Sequence, residues 1–233
     1  MDIYSIHTRH LVAVDCIVFG YDIVGKELKL LLIRRGFEPG KGRWSLAGGF
    51  VGRLESLDEA AGRILRTYTG LEKIYLKQSY TYGDAGRDQG ARVISTAYCA
   101  LIAIRDISSE LAVDSEAHWR SIGRLPDLVF DHADMVRKAL ADLQYQIRVR
   151  PVGFELLPGK FTLVQLQELY EAIYQRQIDK RNFRKKILSM GIIEKLDEKE
   201  KETSKKGAFY YRFNKDRYEK LERNGLFFNL DVS

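Results

Sequence analysis

The sequence predicts an α+β protein of two successive domains, residues 1–150 and 151–233, and three observations predict it. Residues 11–104 mix short β-branched runs with a helical repeat and lack regular βαβ spacing, the pattern of a sandwich. The segment IRVRPVGFELLPGK then sets two prolines and two glycines between helical stretches, which places a boundary near residue 150. Beyond it come helix, turn, helix and a two-stranded hairpin.

Each element has a local cause. LVAVDCIVFG at 11–20 and LKLLLIRR at 28–35 are short, apolar strand patterns, with Gly25 in the hairpin connection between them. FEPGKGRWSLAGGFV at 37–51 is too rich in glycine for a helix and reads as loop plus short strand. Helical spacing follows at 56–68, with Ser56 as N-cap, Asp58 and Glu59 in the first turn, and Gly70 as the stop. Strand patterns return at 73–82 and 91–104, and Asp131 caps a second helix over about 131–145.

In the second domain Thr162 opens TLVQLQELYEAIYQ. Its Leu163, Leu166, Leu169 and Ile173 recur at threes and fours and define one buried face. Asp179 caps KRNFRKKILSM, which Gly191 ends. IIEKLDEKEKETSKKGAFYYRF then supplies strand, charged loop and strand, completing a winged helix-turn-helix.

The 233 residues are 45% hydrophobic and 30% charged, enough apolar side chain for two cores. A net charge of +6 is too small to identify a nucleic-acid partner unless the charge is clustered. Cys16 and Cys99 both lie in apolar runs and read as buried free thiols in strands; two cysteines make no disulfide framework. No N-terminal apolar stretch follows a basic cluster, and no apolar run approaches the ~20 residues of a membrane span. A cytoplasmic protein without a membrane partner is expected.

One spacing carries chemistry. Gly49, Glu55, Arg63, Gly70 and Leu71 fit the order Gly, five residues, Glu, seven residues, Arg-Glu-Leu-x-Glu-Glu-x-Gly-Leu. This resembles the Nudix box. WSLAGGF is similar to that family's W-x-L-P-G-G, with Ala47 in place of proline. The resemblance covers residues 10–145 and implies a Nudix-like α/β/α sandwich.

The departures bear on activity. Ile64, Thr67 and Tyr68 occupy the three further glutamate positions. Nudix chemistry needs helix carboxylates to hold divalent cations against a pyrophosphate and to generate hydroxide. Ile64 has no ligand oxygen, Thr67 and Tyr68 carry no charge, and Glu55 alone cannot form that cluster. The surviving residues therefore read as scaffold, with Arg63 pairing Glu55 across the turn. Asp58 and Glu59 could stand in as ligands, but they also suit the helix N-terminal dipole. No catalytic residue, metal ligand or cofactor is expected, and a hydrolase of nucleoside diphosphate derivatives is the enzyme alternative.

The charge excess concentrates in the second domain. Within KRNFRKK, Lys180, Arg181, Arg184, Lys185 and Lys186 are basic, while Phe183 and Ile187 can anchor the opposite face. A solvated helix face would look similar. Two features favour DNA contact: the helix is the second of a close pair, and Lys205 and Lys206 fall near the hairpin tip. Asn182 is a candidate for an adenine edge, or for local bonding in the first turn.

The stretch from Leu157 to Ile187 resembles the winged helix of the Nudix-related transcriptional regulators. That resemblance implies a homodimer that binds a double-stranded operator and responds to a small-molecule effector. A protein-interaction module is the competing reading of the domain. The resemblance lies closer to the branch that senses a pentose, L-arabinose, to control carbohydrate genes, with ADP-ribose sensing in NAD metabolism as the alternative. Loss of the metal carboxylates tilts the pocket toward a neutral sugar. The expected ligand residues are Glu38, Trp44, Arg87, Asp88 and Arg92, and Gln89 stands where relatives often have proline. Core packing of Trp44 and a surface ion pair between Arg87 and Asp88 are their structural alternatives.

Overall fold

The computed structural model describes residues 6–70, 74–104, 117–201 and 207–224. The first half forms one sheet. Strand β1 (Leu11–Asp22) lies centrally in the order β3-β2-β1-β6-β5, with β2 Glu27–Arg34, β3 Trp44–Ser45, β5 Lys77–Tyr82 and β6 Val93–Ala103. Strand β4 (Ala47–Phe50) pairs with β1, and β7 (Ala117–Ser121) with β2, both antiparallel. Every residue from Ala13 to Tyr21 is buried, so the apolar run of β1 reflects cover on both faces.

Helix α1 (Leu57–Thr69) packs on this sheet through Ala60, Ala61, Ile64 and Leu65, against Val14, Cys16 and Val18 of β1 and Tyr98 of β6. Its start is a complete capping box: Glu59 N–H donates to Ser56 Oγ, and Ser56 N–H donates to the Glu59 carboxylate. Gly70, at φ 73, closes it in the left-handed conformation that glycine adopts without steric cost.

Three features differ from the sequence reading. Strand β5 begins at Lys77, because Ile74 and Leu76 are apolar through packing on the core and not through strand pairing. Cys16 is buried, with its thiol pushed up to about 12 chiefly by desolvation, whereas Cys99 is half-buried. Helix α2 runs over His132–Val149, four residues past the expected end.

The chain divides into two compact units. The first comprises Met1–Gly20, Lys29–Ile102 and Asp106–Ala139; the second comprises Tyr21–Leu28, Ala103–Arg105 and Leu140–Ser233. The division therefore falls inside α2, not in the proline- and glycine-bearing segment near residue 150. That segment is itself packed, with Phe154, Leu156 and Leu157 buried.

The second unit contains α3 (Leu163–Tyr174), α4 (Lys180–Ser189), α5 (Lys215–Arg223) and a sheet ordered β8-β10-β9. Its strands are Phe161–Thr162 (β8), Ile193–Glu200 (β9) and Ala208–Phe213 (β10). Leu163, Leu166, Leu169 and Ile173 are all buried, and a second capping box joins Thr162 to Gln165. Asp179 caps α4 by accepting from Asn182 N–H at 2.7 Å. Phe183 and Ile187 are buried, and Phe183 meets Tyr170 with ring centroids 5.6 Å apart. This is a winged helix. Among the described residues no helix is long and apolar enough to cross a membrane.

Candidate functional site

A cleft of ≈ 290 Å³ opens in the first unit where the β4 glycines meet α1. The Nudix-box positions form one wall: Gly49, Arg63, Ile64, Thr67 and Tyr68. Arg63 lies across the helix start, donating from Nε and Nη2 to Glu55 at 2.9 and 2.5 Å and from Nη2 to Phe50 O at 3.0 Å. Glu55 also accepts from Gly52 N–H at 2.5 Å. The Arg63 hydrogen bonds and the Gly52 amide hold its carboxyl down to about 2.

The expected Glu55–Arg63 pair is thus present, and Glu55 is engaged in fixing the loop. Ile64 is buried and offers no donor, Thr67 Oγ1 donates to Arg63 O, and Tyr98 O–H donates to Asp58. Glu59 is committed to the capping box, which lowers its pKa through its bonds to Ser56. The residues present do not fit the divalent cations of a Nudix hydrolase, so no chemical step follows through such an ion.

The cleft floor is a buried polar cluster. Asp15, 6% exposed inside an apolar strand, accepts from Ser95 Oγ at 2.6 Å. Its second oxygen faces His132 Nε2 at 3.5 Å. Leu46 N–H donates to His132 Nδ1 at 3.1 Å, which leaves the ring proton on Nε2, directed at Asp15. Desolvation lowers the His132 pKa although Asp15 and Asp131 act to raise it. A Cβ at Gly48 would collide with the Asp15 carboxylate, so this close approach requires glycine.

Arg87 belongs to the same cluster. It is 8% exposed and grips Asp131 through two hydrogen bonds, with Asp15 at 3.7 Å. Burial disfavours its charge, but Asp131, Asp15 and Asp88 more than offset that and raise its pKa. In place of the surface pair with Asp88 weighed as an alternative, Arg87 makes a buried pair with Asp131. The Asp131 carboxylate, expected as a helix cap, is occupied by the guanidinium.

Of the five expected ligand residues, Arg87 and Asp88 line the cleft and Glu38, Trp44 and Arg92 do not. Glu38 shapes its loop, accepting from Gly40 N–H at 2.7 Å and Lys41 N–H at 3.3 Å. The guanidinium carbons of Arg34 and Arg120 lie over the Trp44 ring, 4.9 and 4.5 Å from its centroid. Arg92 donates to Asp84 O. The sequence reading missed Arg35, Phe37, Phe50 and Phe130, which complete the cleft. It also missed Asp15, although a lone carboxylate inside VAVDCIVF signals a buried charge needing partners.

In the second unit, α4 presents the basic face. Lys180, Arg181, Asn182, Arg184 and Lys185 are exposed and Lys186 is half-buried. At 100° per residue, Arg181 and Lys185 point most directly away from the buried Phe183 and Ile187. The Asn182 side chain has no hydrogen-bond partner among the described residues; only its backbone serves the cap. Lys205 and Lys206 lie outside the described residues. On the described part of the hairpin, Lys195 and Lys199 cover the Phe209 ring at 3.5 and 4.5 Å.

Residues 9–139 match the NUDIX domain family, and residues 153–213 match the NrtR DNA-binding winged helix domain. The chain is 33% identical over 207 residues to the ADPR responsive transcriptional repressor NtrR of Acinetobacter baylyi, covering 87% of this chain and 82% of that protein. It is similar to the structure of Shewanella oneidensis NrtR complexed with a 27mer DNA, at 27% identity and a TM-score of 0.73. That likeness covers 89% of this chain and 95% of the other. It is also similar to the NUDIX domain of Shewanella oneidensis NrtR complexed with ADP ribose, at 29% identity and a TM-score of 0.53, covering 61% of this chain and 94% of that one.

Proposed function

This chain belongs to the NrtR-type regulators, a NUDIX domain joined to a DNA-binding winged helix, and from that premise we propose that its effector is ADP-ribose. The protein is a DNA-binding transcriptional regulator with a Nudix-like sensor domain. The observation that carries the effector reading is the lining of the cleft. Arg35, Arg63 and Arg87 share it with the rings of Phe37, Phe50, Tyr68 and Phe130. Rings suit a base, and guanidiniums suit a pyrophosphate.

The expectation of L-arabinose finds no support, and the alternative is favoured. The A. baylyi repressor is ADPR responsive, and the S. oneidensis domain was solved with ADP ribose. The tilt toward sugar assumed that a pyrophosphate needs a metal, but a guanidinium in the cleft offers another way to hold it.

In this reading the protein acts as a homodimer, reads its operator with α4, and binds ADP-ribose without hydrolysing it. Effector and operator affinities are linked, so an effector that weakens DNA binding binds the DNA complex less well by the same factor. The test uses a duplex selected from genomic fragments by binding. ADP-ribose is expected to raise the melting temperature of the full chain and to dissociate the complex. A response to L-arabinose with none to ADP-ribose would return the sugar reading.

A further inference from the structure

We infer that Arg35 is the residue that holds the negative charge of the effector, and this rests on the ADP-ribose reading above. The argument is an account of charge within the cleft. Three arginines line it, and two are already neutralised: Arg63 by Glu55, and Arg87 by Asp131 with Asp15. Arg35 alone of the three lacks a carboxylate partner among the described residues. Its Nε donates to Pro39 O at 2.8 Å, a neutral acceptor, and both terminal nitrogens are left over.

Those nitrogens are held in place. The Arg35 guanidinium carbon lies 4.5 Å from the centroid of Phe37 and 5.1 Å from that of Phe130. Its backbone is tied on both sides to the glycine loop: Arg35 N–H donates to Arg43 O, and Gly42 N–H donates to Arg35 O. Gly40 and Gly42, at φ 84 and 77, make that return possible. A guanidinium fixed at Nε and flanked by rings presents a ready-made fork, the geometry that binds phosphate oxygens in pairs. Little ordering cost remains when the ligand arrives.

The acidic groups restrict where a pyrophosphate can lie. Asp15 on the floor and Asp88 on the wall repel it, and the Asp88 carboxylate is turned to Gly90 N–H at 2.7 Å. The pyrophosphate therefore belongs at the Arg35 side, and the uncharged ends of the ligand along the rings and floor. In the sequence Arg35 is one of two arginines closing LKLLLIRR, with nothing to separate it from Arg34. The fold separates them: Arg34 goes to Trp44 and Gly42 O, and Arg35 to the cleft.

Calorimetry on the full chain tests this, with ADP-ribose and uncharged adenosine as probes. Arg35→Met is expected to weaken ADP-ribose binding roughly 10-fold or more, the effect of losing one charge-assisted hydrogen bond. Arg35→Lys should recover only part of the loss, because a point charge cannot bind in a fork. Adenosine affinity should be unchanged in both variants, and Arg120→Met, which lies outside the cleft, should bind like the wild type. Equal ADP-ribose affinity in wild type and Arg35→Met overturns this inference alone. Parallel loss of adenosine and ADP-ribose assigns Arg35 a purely structural role and also overturns it. Absence of ADP-ribose binding by the wild-type protein overturns the effector reading and this inference together.

Discussion

Arg87 holds Asp131 across 44 residues of sequence, Nε to Oδ2 at 2.9 Å and Nη2 to Oδ1 at 2.7 Å, one position before α2 begins. The pair fixes the start of that helix to the loop beside the cleft. Arg87 is 4% exposed in its side chain and Asp131 is 21% exposed. Asp131→Asn removes the charge that compensates a buried guanidinium. The partial exposure of Asp131 places the cost near the lower end for a broken buried pair, about 3 kcal/mol. Urea denaturation is expected to show a lowered midpoint with an unchanged slope. A midpoint equal to wild type would mean the pair contributes nothing.

His132 gives a pH dependence with a defined sign. Burial depresses its pKa in the folded state, so it stays neutral there while the unfolded chain protonates near 6.5. The unfolded state then binds more protons below that pH. The stability contribution is complete above about pH 6.5 and is lost as pH falls from there through the folded-state value. Melting temperature should therefore drop between pH 7.5 and 5.5, and His132→Gln should flatten that slope. An unchanged slope in the variant would assign the acid sensitivity elsewhere.

The Nudix-box wall predicts the absence of chemistry. With Ile64, Thr67 and Tyr68 facing the cleft and Glu55 clasped by Arg63, ADP-ribose should survive incubation with the protein and magnesium or manganese. Chromatography of the nucleotide products reads this directly. Turnover at ordinary enzyme rates, abolished by Glu55→Gln, would show that Glu55 still serves catalysis.

On α4 the outward positions should dominate DNA binding. Arg181→Ala and Lys185→Ala are each expected to cost ~1 kcal/mol or more and to reduce the salt slope by about one. Lys180 and Lys186 project closer to the core side and should cost less. Affinity measured at several salt concentrations separates these cases. Equal affinities for wild type and the Arg181/Lys185 double variant would remove α4 from the interface.

Local causes were legible in the sequence. The Ser56 cap, the helix opening at Thr162, the Gly70 stop, the apolar face of α3 and the Phe183–Ile187 anchor each span at most a few turns of chain. The Glu55–Arg63 pair was legible too, because eight residues and one helix start fix its geometry. The Nudix-box departures were equally plain, since they are identities and need no coordinates.

The sequence by itself therefore determined the two-part architecture, the basic α4 and the replacement of the box glutamates. Tertiary structure decided which charges meet. Asp15 reaches Ser95 across 80 residues, Leu46 reaches His132 across 86, and Arg87 chose Asp131 over its neighbour Asp88. Pairings at such separations depend on strand order and on where burial removes water, and neither is encoded in a local pattern. The same holds for Arg34 and Arg35, adjacent in sequence and alike in chemistry. They extend on opposite sides of the chain as β2 ends, so one meets Trp44 and the other meets the cleft.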